Sequence, residues 1–181
     1  MTRTLDIWWD GRLVGQLTQD KHGELGFAYA PAWLDDEQAQ PLSASLPKRA
    51  EPFSRRECRP FFGGLLPEES QRDAAAQALG VSRANDFALL DRLGGDVAGA
   101  LQLLPPGELP ATLAPDQRPT RLDDAGLIRV LDALPVRPLL AGEEGLRLSL
   151  AGAQSKVPVV LVDGAVALPA PGQPTTHILK P

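Results

Sequence analysis

The chain has 181 residues, of which 43% are hydrophobic and 23% charged, and its formal net charge is -5. This composition is typical of a soluble globular protein, and the length allows one ordinary domain or two small ones. The acidic balance provides no field that would attract nucleic acid or an anionic membrane, so we expect neither as a direct partner.

The sequence holds one cysteine and two histidines. A single cysteine cannot form an internal disulfide, and these residues are too few for the usual ligands of a zinc site. The N-terminus has no apolar leader segment, and the longest apolar runs are far too short to span a bilayer. We therefore expect a cytoplasmic protein with no metal site of its own and no Cys/His nucleophile pair.

The first thirty residues have the pattern of an antiparallel meander. Two β-rich runs, residues 5–9 and 13–17, flank the Asp10-Gly11 pair, whose residues tolerate positive φ and favour a hairpin. A third run over 25–30 follows. Adjacent aromatic residues in a strand point to opposite faces, so we expect at least one of Trp8 and Trp9 to pack in a core and the other to cover an edge or partner surface. A ligand pocket lined by Trp8, Trp9 and Trp33 is the alternative.

After residue 53 the pattern becomes helical. Acidic residues just after a proline favour a helix start at residue 68, and Gly80 favours its end. Ser82 is the predicted cap of the next helix. The apolar residues that repeat along that helix are Phe87, Leu90 and Leu93. We expect the basic stretch 55–59 to be a solvated loop and residues 98–104 to form the last strand of this unit.

The second half begins with five prolines in residues 105–120, a composition that predicts a stiff, exposed linker. Asp123 can then cap a helix. The apolar residues predicted on one face of that helix are Leu127, Ile128, Leu131 and Leu134. Predicted strands follow over 146–150, 156–162, 165–168 and 177–180. The chain is therefore predicted to be α+β, with units at 1–104 and 121–181.

The last part of the chain contains a turn of small residues between two predicted strands. Its residues are Ala151, Gly152, Ala153, Gln154, Ser155 and Lys156. Small side chains let backbone amides approach an anion, and Lys156 adds a positive charge at the mouth. Lys180 lies two strands later, where a kinase lobe carries the lysine that reaches the α- and β-phosphates. A plain β-hairpin turn and a solvated lysine remain the alternative.

The motifs resemble those of the HipA-like serine/threonine kinases, the toxin components of bacterial HipBA-type modules. Residues 149–156 and 174–181 resemble the nucleotide-binding loop and the lysine strand of that family. Residues 10–15, 61–68, 86–90 and 94–100 resemble its N-terminal subdomain, so the likeness covers essentially the whole chain. The resemblance implies an antiparallel meander with packed helices at 1–104, followed by the β-rich start of a kinase-like small lobe at 121–181.

The resemblance also implies a function, which is ATP-dependent phosphorylation of serine or threonine in a protein substrate, with Mg²⁺ in the complete kinase. Residues 151–156 would cover the ATP phosphates, and Lys180 would be the strand lysine. Ser149 would be the autophosphorylation site, where a phosphate would compete with those of ATP. The implied partners are the substrate and a HipB-like DNA-binding antitoxin.

The catalytic residues of a kinase have no counterpart in this sequence. The family places its catalytic Asp, its Asn and its Mg²⁺-binding Asp after the lysine strand. The stretch Asn85-Asp86-Phe87 only superficially resembles a metal-binding DFG element, because it precedes the loop and lies in a predicted helix. We name no catalytic residue and expect the chain alone to be inactive.

Three interpretations follow from this comparison. The first is the N-terminal portion of a HipA-like kinase, which would pair with the missing C-terminal lobe or form a homo-oligomer through an uncovered strand edge. The second is a regulatory or antitoxin-like subunit of a split HipA-type system. The third is an unrelated α+β domain in which residues 1–104 and 121–181 share one continuous core and Lys180 points away from the loop.

Overall fold

The computed structural model describes residues 1–97, 101–110, 118–141, 150–170, 173 and 175–181. Within these ranges the chain is α+β, as the sequence predicts, with two four-stranded antiparallel sheets. The first sheet, ordered β3-β2-β1-β4, contains β1 (Arg3–Trp9), β2 (Arg12–Gln19), β3 (Leu25–Tyr29) and β4 (Leu101–Leu104). The second, ordered β5-β7-β6-β8, contains β5 (Thr120–Arg121), β6 (Val157–Val162), β7 (Ala165–Leu168) and β8 (His177–Leu179).

Five helices accompany the sheets within the same ranges. They are α1 (Pro31–Asp35), α2 (Arg55–Gly63), α3 (Glu69–Leu79), α4 (Asp86–Leu93) and α5 (Asp124–Ala133), with a short 3₁₀ turn at Pro138–Leu140. None of the helices in the described ranges has the length and apolar character needed to cross a bilayer.

The predicted hairpin and the predicted end of α3 are confirmed. Asp10 and Gly11 have φ angles of 49° and 72°, the left-handed values that a tight two-residue hairpin turn requires. Gly80 has a φ of 64° and donates its N–H to the carbonyl oxygens of Ala76 and Gln77. Both features arise from local backbone chemistry, so a few residues of sequence suffice to predict them.

The expectation of a loop at 55–59 is wrong, because these residues form the start of α2. Ser54 and Glu57 make a reciprocal capping box, in which the Ser54 N–H donates to the Glu57 carboxylate at 2.8 Å. Cys58 and Phe62, four residues apart, are both fully buried on the inner side of this helix. The charges at 55–59 occupy its solvent side, and the apolar spacing behind them is the signal that indicates a helix.

Two details of the other helices also differ from expectation. Asn85, and not Ser82, caps α4, because the Asn85 side chain accepts the Ala88 N–H at 3.0 Å while Ser82 lies in the preceding turn. Asp123 caps α5 as predicted, accepting the Gly126 N–H at 2.7 Å. Ile128, however, is 58% exposed and does not belong to the buried face of α5.

The larger hydrophobic core lies between the first sheet and the helices that follow it. Phe27, Phe53 and Phe62 are fully buried there, with the Phe27 ring centroid 5.8 Å from that of Phe53 and 5.4 Å from that of Phe62. Trp33 is 5% exposed, and Trp9 stacks on it with ring centroids 5.9 Å apart. These two tryptophans therefore pack in and against the core, as expected.

A smaller hydrophobic cluster holds the second sheet against α5. Its buried members are Val130, Leu134, Leu140, Val157 and Val159. Ala141, directly after the 3₁₀ turn, instead joins the larger core. The described part of the second half thus has its own apolar cluster and also packs on the first half.

Some predicted features lie partly outside the described residues. Of the strand expected at 98–104, the structure describes β4 only, and residues 111–117 of the expected linker lie outside the described ranges. The same holds for residues 146–149 of the strand expected at 146–150. The division of the chain at 105–120 stays a prediction.

The buried and exposed sides of α5 predict different losses in the free energy of unfolding for two substitutions. Leu134→Ala should lower the free energy of unfolding by about 2–4 kcal/mol, because it leaves a cavity in the smaller cluster. Ile128→Ala, the matched control on the exposed face, should change it by less than about 0.5 kcal/mol. Urea denaturation of both variants checks this, and equal losses would contradict the assignment of the faces.

Candidate anion-binding site

The ladder between β6 and β8 brings two lysines to the same end of the second sheet. Val157 pairs with Leu179 and Pro158 with Ile178 in antiparallel register. Continued by one residue, this register places Lys156 opposite Lys180, immediately outside the ladder. Like charges in such opposite positions repel each other. The chain therefore concentrates positive charge at this point.

The electrostatics of Lys156 reflect this arrangement. Partial burial is the main cause that lowers the pKa of its ammonium group, and the charge of Lys180 lowers it further. The Glu68 carboxylate acts in the opposite direction and raises this pKa. The charges of Lys180, which directly follows β8, and of Glu68, which directly precedes α3, therefore both act on Lys156.

The turn before β6 lies beside the Lys156 ammonium group. Gly152 has a φ of 107°, a conformation that side-chain-bearing residues rarely adopt, and a Cβ built there would lie 2.9 Å from Lys156 Nζ. Glycine at this position therefore lets the ammonium group lie against the backbone of the turn. The exposed residues of the turn are Ala151, Ala153 and Gln154. Main chain of this kind, next to a cation, suits an anion such as phosphate.

The segment that starts α3 contacts the turn from the first half of the chain. The Glu68 N–H donates to the Gly152 carbonyl oxygen at 3.3 Å, and Pro67 and Gly152 form an isolated parallel bridge. Gln71 Nε2 donates to Ser155 Oγ at 3.4 Å. These contacts hold the turn at both ends.

The backbone of this segment is itself strained. Glu69, the first residue of α3, has a φ of 46°, which is uncommon for a residue with a side chain. Strain of this kind costs of order 1–3 kcal/mol and occurs preferentially at ligand clamps and functional sites. No local sequence signal marks the contacts of residues 67–71, because their partners lie more than eighty positions away in the chain.

The face that carries the two lysines also has an apolar part. Alternation along β6 and β8 places Pro158 on the side of Lys156 and Ile178 on the side of Lys180. Ile178 is 54% exposed, while Pro158 is buried. An apolar surface therefore adjoins the charged end of the ladder.

The structure thus places the predicted site residues as follows. Gly152, Ser155 and Lys156 lie in one turn with the three exposed residues named above, and Lys180 directly follows β8 at the position opposite Lys156. Ser149 lies outside the described residues. A binding role for any of them stays a prediction.

Other kinds of site have little support in this molecule. No group of three or more His, Cys, Asp or Glu side chains that could hold a metal ion occurs among the residues the structure describes. Burial raises the pKa of the Cys58 thiol to about 11, so this thiol is protonated at neutral pH and is a poor nucleophile. Asp86 is 3% exposed and accepts from Arg59 at 2.7 Å and from Arg72, so it has the environment of a structural ion pair.

Comparison with known proteins agrees with this architecture. A family model described as the HipA N-terminal domain matches residues 5–104. The protein named "Putative kinase Y4mE" of Sinorhizobium fredii is 77% identical over 99% of this chain and 43% of its own length. The "Serine/threonine-protein kinase toxin HipA" of Shewanella oneidensis is 29% identical over 99% of this chain and 40% of its own length.

A solved structure shares the fold. It is the complex of HipA and HipB from the Shewanella oneidensis toxin-antitoxin system with operator DNA, and it matches with a TM-score of 0.75 and 27% identity over 97% of this chain. That match covers 40% of the solved chain, so the present chain spans about two fifths of these relatives. Because the family model covers more than half of the chain and the fold is shared, the chain belongs to the HipA family.

Proposed function

We propose that residues 151–156 and Lys180 bind the phosphates of ATP, and that the chain supplies this part of the nucleotide site to a HipA-like serine/threonine kinase. The observation that carries this proposal is the placement of Lys156 opposite Lys180 at the mouth of a glycine-containing turn. The kinase names of relatives that match nearly all of this chain support it.

The charges explain why this site favours a polyphosphate. Two ammonium groups near each other destabilise the empty site, and an anion between them turns that repulsion into two attractive contacts. Charge-assisted hydrogen bonds from lysine to phosphate contribute roughly 1.5–3 kcal/mol each. The exposed Ile178 beside Lys180 offers apolar surface for the base of the same nucleotide.

We propose ATP as the ligand of these residues, and in the complete kinase it would supply the γ-phosphoryl group together with Mg²⁺. Transfer to a serine or threonine hydroxyl needs a base that takes the hydroxyl proton as the new P–O bond forms and ADP leaves. Asp86, the acid in the stretch that resembles a DFG element, is occupied by two arginines. We propose that this 181-residue chain alone does not transfer phosphate.

The setting of the activity is proposed from the relatives. One of them is named as a toxin kinase, and the solved complex contains HipA together with HipB. By analogy we propose a HipB-like antitoxin as partner, a protein as substrate and a cytoplasmic toxin-antitoxin module as context. Ser149 stays the predicted site of regulatory phosphorylation.

The electrostatic basis of the site can be measured directly. Lys180→Ala should raise the pKa of Lys156, because a neighbouring positive charge is removed, and Glu68→Gln should lower it, because a negative charge is removed. NMR titration of the lysine side chains reports these values. Lys21→Ala, which changes an exposed lysine of the first half, should leave the pKa of Lys156 unchanged. An unchanged value in Lys180→Ala would show that the two lysines are not neighbours.

The proposed inactivity is tested by phosphate transfer. Incubation of the 181-residue chain with labelled ATP, Mg²⁺ and a generic serine/threonine substrate should give no incorporation above that of Lys180→Ala. Labelling that depends on Lys180 would contradict this prediction. If the chain instead acts as a regulatory subunit, adding it to a separate catalytic chain would change that chain's activity without any labelling by the chain itself.

A further inference from the structure

Asp96 is a buried acid that the proposed nucleotide site does not use. It lies in the turn between α4 and β4 and is only 8% exposed. Its Oδ2 atom accepts the side-chain hydroxyl of Thr175 at 2.6 Å and the Thr175 N–H at 3.1 Å. These two residues lie 79 positions apart in the chain, so the contact links the first half to the start of the lysine strand.

Keeping a carboxylate in this position is unfavourable for stability. Burial raises the pKa of Asp96, and the two hydrogen bonds from Thr175 act in the opposite direction without cancelling that effect. A raised pKa in the folded state means that the stabilising contribution is present at low pH and is lost as the pH rises through it. The ionised acid therefore reduces stability at neutral pH.

The strand that follows Thr175 is short, and few contacts fix its register. The Thr176 N–H donates to the Val159 carbonyl oxygen at 3.1 Å, and β8 then adds three residues to the edge of the second sheet. His177 and Ile178 are exposed, so Leu179 is the only residue of β8 that packs on the smaller cluster. A slip of one residue in such a strand would exchange its faces and carry Lys180 to the other side of the sheet.

We propose that Asp96 is a positioning residue for the anion site: by fixing Thr175, it sets the register of β8 and keeps Lys180 opposite Lys156. This inference rests on the proposed nucleotide function. Residues 67–71 hold the glycine-containing turn from the same half of the chain. The first half thereby holds both parts of the anion site, the turn through the start of α3 and the lysine strand through Asp96.

The test compares four variants of the 181-residue chain. Asp96→Ala removes both hydrogen bonds of the link, whereas Thr175→Val removes the hydroxyl bond and keeps the N–H bond. Thr175→Ser keeps both bonds, and Thr176→Val is a matched control at the next, exposed position. Two quantities are measured in each folded variant. One is the change in the pKa of Lys156 caused by adding Lys180→Ala, and the other is the affinity for inorganic tripolyphosphate.

Thr175→Val, which keeps the N–H bond, should weaken the effect of Lys180→Ala on the pKa of Lys156 only in part. In Asp96→Ala this effect should fall to less than about half of its value in the unmodified chain, because the separation of the two charges increases. Tripolyphosphate affinity should fall about tenfold, as expected when one charge-assisted contact is misplaced. Thr175→Ser and Thr176→Val should match the unmodified chain in both measurements. Should Asp96→Ala fail to fold, Asp96→Leu, which also lacks an acceptor but fills the buried space, decides the matter.

Unchanged coupling and unchanged affinity in a folded Asp96 variant without a side-chain acceptor would overturn the positioning role. Failure of the proposed function gives a different result, in which the unmodified chain does not bind tripolyphosphate through Lys156 and Lys180. The coupling between the two lysines still decides the role of Asp96 in that case, because it is measured without any ligand.

Discussion

The placement of Lys156 opposite Lys180, directly outside the β6–β8 ladder, is the constraint on which the proposed site depends. The ladder of β6 and β8 forces the two lysines into opposite positions, which in isolation would favour separation of the strand ends. The turn at Gly152 leaves room for the Lys156 ammonium group, and Glu68 offsets part of the charge. An anion between the lysines would relieve the repulsion, and for this reason we propose a phosphate site at this position.

The first half of the chain contacts the two segments that carry Lys156 and Lys180. Its core contains buried phenylalanines, and among the described residues this half contacts both segments that lead into the lysine-bearing strands. Residues 67–71 hold the turn, and Asp96 holds the start of the lysine strand. A short edge strand and a turn of small residues have little packing of their own, so their geometry has to be imposed by a better-packed neighbour.

Local features of the fold could be predicted from the sequence, whereas distant contacts could not. The hairpin at Asp10-Gly11, the helix end at Gly80 and the cap at Asp123 depend on a few adjacent residues. The many charged residues at 55–59 led to the prediction of a loop, although Cys58 and Phe62 have helical spacing. In α5 the helical repeat did not indicate that Ile128 lies on the exposed side. The contacts of Gly152 and Thr175 with the first half join residues far apart in the chain, and no periodicity or motif encodes them.

The central claim is that Lys156 and Lys180 bind the same polyphosphate, and the composition of the chain makes this measurable. The sequence has four lysines, and the other two, Lys21 and Lys48, belong to the first half. With nitrogen-labelled lysine side chains, NMR titration with ATP should shift the signals of Lys156 and Lys180 together with one common affinity. The signals of Lys21 and Lys48 should remain in place. Equal shifts of all four signals, or a shift of only one lysine of the pair, would contradict the account.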